Sequence, residues 1–162
     1  MTIQYRELFN QVGTYITVAD IQDENTSEPT GTADSHHTFS FNTTDNNISG
    51  CSTSGGTQIT LPEGTYVVTA HTDYPKDSVN SYGGIRLRDV TNDVTLARSV
   101  LKYQENVTTS GAGTAMDGVF ELTGTAVVEA QWGRSNGTII GFTADITGED
   151  ECFFTMTITK IG

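Results

Sequence analysis

From Gly13 onward the apolar residues of this chain fall in short alternating runs. Gly, Asn, Asp or Pro punctuates the gaps between them, and no helical period of useful length intervenes. This distribution constrains the fold more than any other feature. An alternating run makes a strand with one greasy face and one wet face, and the greasy face must be buried against a second sheet. The runs are 15–20, 37–42, 57–61, 65–73, 84–90, 94–100, 115–123, 125–133, 138–144 and 152–161. They predict an all-β chain of about ten short antiparallel strands, a β-sandwich or jelly roll. The polar stretches 21–35 and 103–114 are expected to be surface loops.

Hydrophobic residues make up only 35% of the 162, a low content that the alternation reconciles with a folded chain. Thr is the commonest residue, and its branched, polar side chain suits a half-exposed pleated surface. At this length one core is possible, and no boundary between domains is visible. The exception to the β pattern lies at the start. In "YRELFNQV" the residues Tyr5, Leu8, Phe9 and Val12 sit at i, i+3, i+4 and i+7, one stripe of a two-turn helix. So short a helix is marginal alone in water and must dock on something. Residues 1–14 are therefore read as a docking arm and 15–162 as the jelly-roll domain.

Eight Lys and Arg stand against 20 Asp and Glu, a formal net charge of -12. Such a chain is repelled by phosphate backbones and anionic headgroups, which argues against nucleic-acid and membrane partners. No run approaches a membrane span, and the first residues lack the basic and apolar regions of an export signal. Cys51 and Cys152 are expected to be two unpaired thiols.

Little in the chain points to catalysis. No G-x-S-x-G elbow accompanies the three histidines. His36 and His37 are adjacent on a strand, point to opposite faces and cannot easily share a metal. The acidic clusters "QDENTSE", "TDYPKD", "DVTND" and "DITGEDE" lack calcium-loop spacing and read as solvated loops. Gly111 and Gly113 lack the helix a phosphate loop needs. The N-x-[ST] triplets are chance products of a Thr-rich chain. Trp132 is read as a core or rim residue ahead of a carbohydrate platform. No catalytic residue, cofactor or metal site is assigned, and the chain is read as a non-enzyme.

The strand faces carry the next step. In "GIRLRDV" Ile85 and Leu87 oppose Arg86 and Arg88, as in a sheet wet on one side. Three other strands differ. Val67 sits opposite Tyr66, Val68 and Ala70, Val119 opposite Phe120 and Leu122, and Phe153 and Ile161 opposite Phe154, Met156 and Ile158. If these strands share a sheet, that sheet is apolar on both faces and its second face needs a cover. Val67, Val119, Phe153 and Ile161 are the candidate association surface.

The segment "ITLPEGTYVVTAHTDY", followed by "IRLRDVTNDVTLARS", resembles the C1q and tumour-necrosis-factor-like jelly-roll family. The resemblance is greatest to versions in bacteriophage virion proteins, where "LPAGTYxVxA" leads into "RLxNVTDGTTL", a "GxFxLxxxxxxELQ" pair and a final "xxxIxKL". The counterparts here are Leu61, Pro62, Gly64, Thr65, Tyr66, Arg86, Leu87, Val90, Thr91, Leu96, Gly118, Phe120, Leu122, Glu129, Gln131, Ile158, Lys160 and Ile161. The match runs from about Tyr15 to the C-terminus. It departs at "DYPKDSVNSYGG", so no ligand role of that loop is carried over.

The resemblance implies a homotrimer packed through its inner sheet. With the amphipathic start, it points to a structural virion protein, a capsid decoration or cement protein on the outer surface of a phage head. Its partners would then be itself and the major capsid protein. The alternative is a receptor-binding or adaptor domain of a tail or head fibre. A fibre tip usually follows a long stalk, and only about 14 residues precede the first run.

Overall fold

The structure, a computed structural model, describes residues 14–22, 35–72, 81–104, 113–134 and 151–162. The helical stripe Tyr5, Leu8, Phe9 and Val12 and the run 138–144 lie outside the described residues. Within them the chain is all-β, two antiparallel sheets packed face to face, with no helix. It forms twelve strands: β1 (Thr14–Gln22), β2 (His36–Thr38), β3 (Thr43–Asn46), β4 (Ser52–Ser54), β5 (Gln58–Leu61), β6 (Gly64–Thr72), β7 (Ser81–Asp89), β8 (Val94–Arg98), β9 (Lys102–Gln104), β10 (Thr114–Leu122), β11 (Ala126–Arg134) and β12 (Glu151–Lys160). A five-stranded sheet runs β10-β6-β12-β1-β3. A seven-stranded sheet runs β4-β5-β11-β7-β8, with β2 on β11 and β9 on β7.

All nine alternating runs within the described residues contain strands. The run 37–42 pairs only at His36–Thr38, after which Phe39 and Phe41 turn inward by backbone bonds to Ala130 and Gly56. Three strands are additional: β3, β4 and β9. β3 and β4 are short, polar and fully exposed, so no alternation marks them. β9 takes the start of a stretch expected to be loop.

The core lies where the alternation places it. Tyr66, Val68 and Ala70 of β6, Leu87 of β7 and Met156 and Ile158 of β12 are all essentially inaccessible. Tyr66 stacks on Phe120, ring centroids 5.3 Å apart, and its hydroxyl donates to the Pro62 carbonyl at 2.6 Å. A buried phenol needs such a partner. Trp132, 4% exposed, is a core residue and stacks on His37 at 4.5 Å.

The turn before β6 is built by Gly64, whose φ of +150° side chains rarely tolerate. A Cβ there would also lie 2.7 Å from the Gly162 carbonyl oxygen. The C-terminus is thereby pinned: Thr65 donates its N–H to Gly162, Ile161 donates to Thr65, and Lys160 Nζ donates to the Glu63 carbonyl at 2.8 Å. In the middle of β10, Gly118 lets the two sheets close, since a Cβ there would lie 2.8 Å from that of Ala97 on β8.

Candidate association surface

The three strands singled out by their two-faced pattern do lie side by side, in the order β10-β6-β12. Register then builds the outer face of the five-stranded sheet row by row. Asp117, Thr69, Thr157, Thr17 and Asp45 form one row, and Val119, Val67, Thr159 and Tyr15 form the next. Ile161 continues beside Thr65. Val119 is 65% exposed and Ile161 58%, while Val67 is half-buried among its neighbours.

Among the described residues no Asp, Glu, Lys or Arg stands at the centre of this face. Its carboxylates stand at the margins, Asp117 and Glu121 on β10 and Asp45 on β3. Thr17 and Thr157 join hydroxyls at 2.9 Å in the middle. At the β3 margin the Tyr15 hydroxyl donates to Asp45 at 2.8 Å. That bond and the carboxylate charge raise the Tyr15 phenol above its ordinary pKa. In a chain of net charge -12, an uncharged, threonine-lined strip ending in Val67, Val119 and Ile161 stands apart from the rest of the surface.

Phe153 does not belong to the exposed face. The β1–β12 register slips, with Asp20 opposite Phe154 and Ile21 opposite Cys152, so Phe153 is the extra residue of a bulge. A bulge interrupts strict alternation and re-aims its side chain. Phe153 is 7% exposed, buried within the chain, and its carbonyl accepts from Thr72 Oγ1 at 2.9 Å.

The opposite surface, on the seven-stranded sheet, is polar and ordered by one carboxylate. Glu129 accepts from Gln58 at 2.8 Å, Thr38 at 3.1 Å and Gln131 at 3.0 Å, and Gln131 in turn accepts from Arg86 Nε at 3.0 Å. The motif residues Glu129 and Gln131 thus serve as a clamp across β2, β5, β11 and β7. The acidic cluster "DVTND" has a structural task as well. Asp89 is buried, and its carboxylate accepts from the Thr91 and Asn92 N–H groups at 2.8 and 3.1 Å, an Asx-type turn.

His36 and His37 do face opposite ways, His36 over Gly133 and His37 against Trp132. Cys51 and Cys152 are not joined in a disulfide, and burial pushes the Cys51 thiol up to about 11. His71 and Cys152 line a cleft of about 310 Å³ at the edge of the five-stranded sheet. Among the described residues no three His, Cys, Asp or Glu side chains converge as a metal site would require.

Two sheets in this strand order make a jelly roll of the tumour-necrosis-factor and C1q type. Particular solved structures share it. Murine APRIL at pH 5.0 superposes with a TM-score of 0.56 at 11% identity, over 91% of this chain and 98% of that one. Vertex protein P5 of PRD1 gives 0.55 at 14% identity, over 93% and 99%. The globular domain of zebrafish complement 1qA gives 0.53 at 10% identity, over 93% and 98%. At these identities the likeness is one of fold. No family model and no curated protein matches the chain in sequence.

Proposed function

We propose that the chain is a structural virion protein, a homotrimeric decoration or cement protein on the outer surface of a phage head. The observation that carries the reading is the uncharged, threonine-lined outer face of the five-stranded sheet, which holds Val67, Val119 and Ile161 at a site where solvent alone would favour charge. Its natural cover is the same face or edge of further copies around a three-fold axis. The shared fold with a vertex protein supports a place in a virion.

In this reading residues 1–14 are a docking arm whose stripe of Tyr5, Leu8, Phe9 and Val12 engages the major capsid protein. Three arms per trimer multiply a weak contact by avidity. No catalytic step is required of the chain. The fibre-tip alternative rests on the same trimer and differs in what the distal surface meets.

The deciding experiment combines sedimentation with capsid binding. The purified protein is expected to sediment as a trimer and to bind preformed heads, and removal of residues 1–12 is expected to abolish binding while the trimer persists. Binding unaffected by that deletion would refute the arm, and a monomer at micromolar concentration would refute the association surface. Location of the protein on the tail of an intact particle would favour the fibre alternative.

A further inference from the structure

The eight Lys and Arg residues are not evenly spread. Arg86 and Arg88 lie on β7 and Arg98 on β8, on the outer face of the seven-stranded sheet. In a chain of net charge -12 these three guanidinium groups share one face with Glu129 and Asp93.

Within it Arg86 and Arg98 are direct cross-strand partners. Like charges placed opposite one another on antiparallel strands destabilise the sheet. Neither forms an ion pair among the described residues, and Asp93 reaches Arg86 only through its charge. Arg86 gives its Nε to the neutral amide of Gln131, Arg98 forms no ion pair, and the ion pair of this group joins Arg88 to Asp93. The field reaches a neighbour: burial first, and then Arg86 and Arg88, hold His36 below the ordinary imidazole pKa.

A groove of about 930 Å³ runs beside the pair, lined among others by His36, Tyr82, Arg86, Arg98, Val100 and Leu101. Gly84 and Gly133, paired across β7 and β11, admit Ser99, Leu101 and the His36 ring close against the sheet at its floor. A Cβ on Gly84 would lie 2.8 Å from Ser99 Oγ, and one on Gly133 2.9 Å from the His36 ring. Val100 and Leu101, 83% and 73% exposed, stand as adjacent aliphatics in solvent, with Tyr82 half-exposed nearby. Arg and Tyr beside exposed aliphatics are the composition of a protein-binding anchor.

We propose that this groove binds an acidic protein segment of another molecule. Its carboxylates engage the guanidinium forks of Arg86 and Arg98, and its aliphatic side chains cover Val100, Leu101 and Tyr82. Planar forks match carboxylates bidentately. An acidic saccharide would satisfy the arginines but leave the aliphatic wall in water, so the peptide is the better fit. The groove lies on the sheet opposite the proposed association surface, so the two proposals stand or fall separately.

The test is panning of a random peptide display library on the intact protein, followed by fluorescence anisotropy with a selected peptide. Enriched sequences are expected to place Asp or Glu beside aliphatic residues. Affinity is expected to fall at least about tenfold in Arg86→Gln and in Arg98→Gln, and to weaken as salt rises. Because Arg98 forms no ion pair among the described residues, the Tm of Arg98→Gln is expected to stay level. A fall in Tm would assign the arginine a structural role and overturn the proposal. So would failure to enrich acidic peptides, affinity unchanged in both variants, or arginine-dependent binding of acidic saccharides alone on a glycan array.

Discussion

Val119 of β10 stands directly opposite Val67 of β6, and Val67 stands opposite Thr159 of β12. This cross-strand row places β-branched, uncharged side chains on the outer face of the five-stranded sheet. Val119→Glu would add a carboxylate beside Asp117 and Glu121 at the proposed copy-to-copy contact. It is expected to give a folded monomer, with an unchanged far-UV circular dichroism spectrum and a smaller sedimentation coefficient. Phe153→Glu is expected to behave differently. Phe153 is buried within the chain, so the substitution buries a charge and costs several kcal/mol of folding stability. A folded, dissociated Phe153→Glu chain would contradict its placement in the bulge.

The contact of Gly118 with Ala97 sets the spacing of the two sheets at one edge. Gly118→Ala is expected to cost about 1–3 kcal/mol, because neither Cβ can rotate away from the other. Pairing it with Ala97→Gly removes the clash, and the double variant is expected to recover part of the loss in a chemical-denaturation cycle. Full additivity of the two single effects would show that the atoms do not meet.

Gly64 holds a left-handed conformation against the C-terminal residues. Gly64→Ala combines an unfavourable φ with a Cβ only 2.5 Å from Lys160 Cε, and about 1–3 kcal/mol of destabilisation is expected. At this size each kcal/mol lowers Tm by roughly 2–4 °C, which a thermal melt resolves. The same variant is expected to free the last residues, seen as faster amide exchange at Ile161.

The two thiols are expected to react unequally. Burial raises Cys51 from 9.0 to about 11, which lowers its thiolate fraction at neutral pH about a hundredfold against an unperturbed thiol. Iodoacetamide followed by mass spectrometry is expected to label the exposed Cys152 first. Linkage gives the sign for stability. The folded chain keeps the Cys51 proton while the unfolded chain loses it, so stability declines as pH rises from about 9 towards 11. Cys51→Ala is expected to flatten that decline.

The sequence by itself determined the sandwich and the inward faces of its long strands. Tyr66, Val68 and Ala70, Ile85 and Leu87, and Phe154, Met156 and Ile158 are buried as a period of two requires, because one buried face per strand imposes that alternation. It also marked Val67 and Val119 as apolar on the wrong side. Tertiary structure alone decided what depends on which strands become neighbours. β3 and β4 exist because β1 and β5 offer backbone partners, and their polar side chains carry no signal of it. Phe153 turned inward because of a bulge that only the pairing of β1 with β12 reveals. Arg86 and Arg98, twelve positions apart, became a like-charge pair only when β7 and β8 aligned. Local periodicity records burial, whereas apposition is set by hydrogen bonds between residues distant in the chain, and the proposed surfaces are made of apposition.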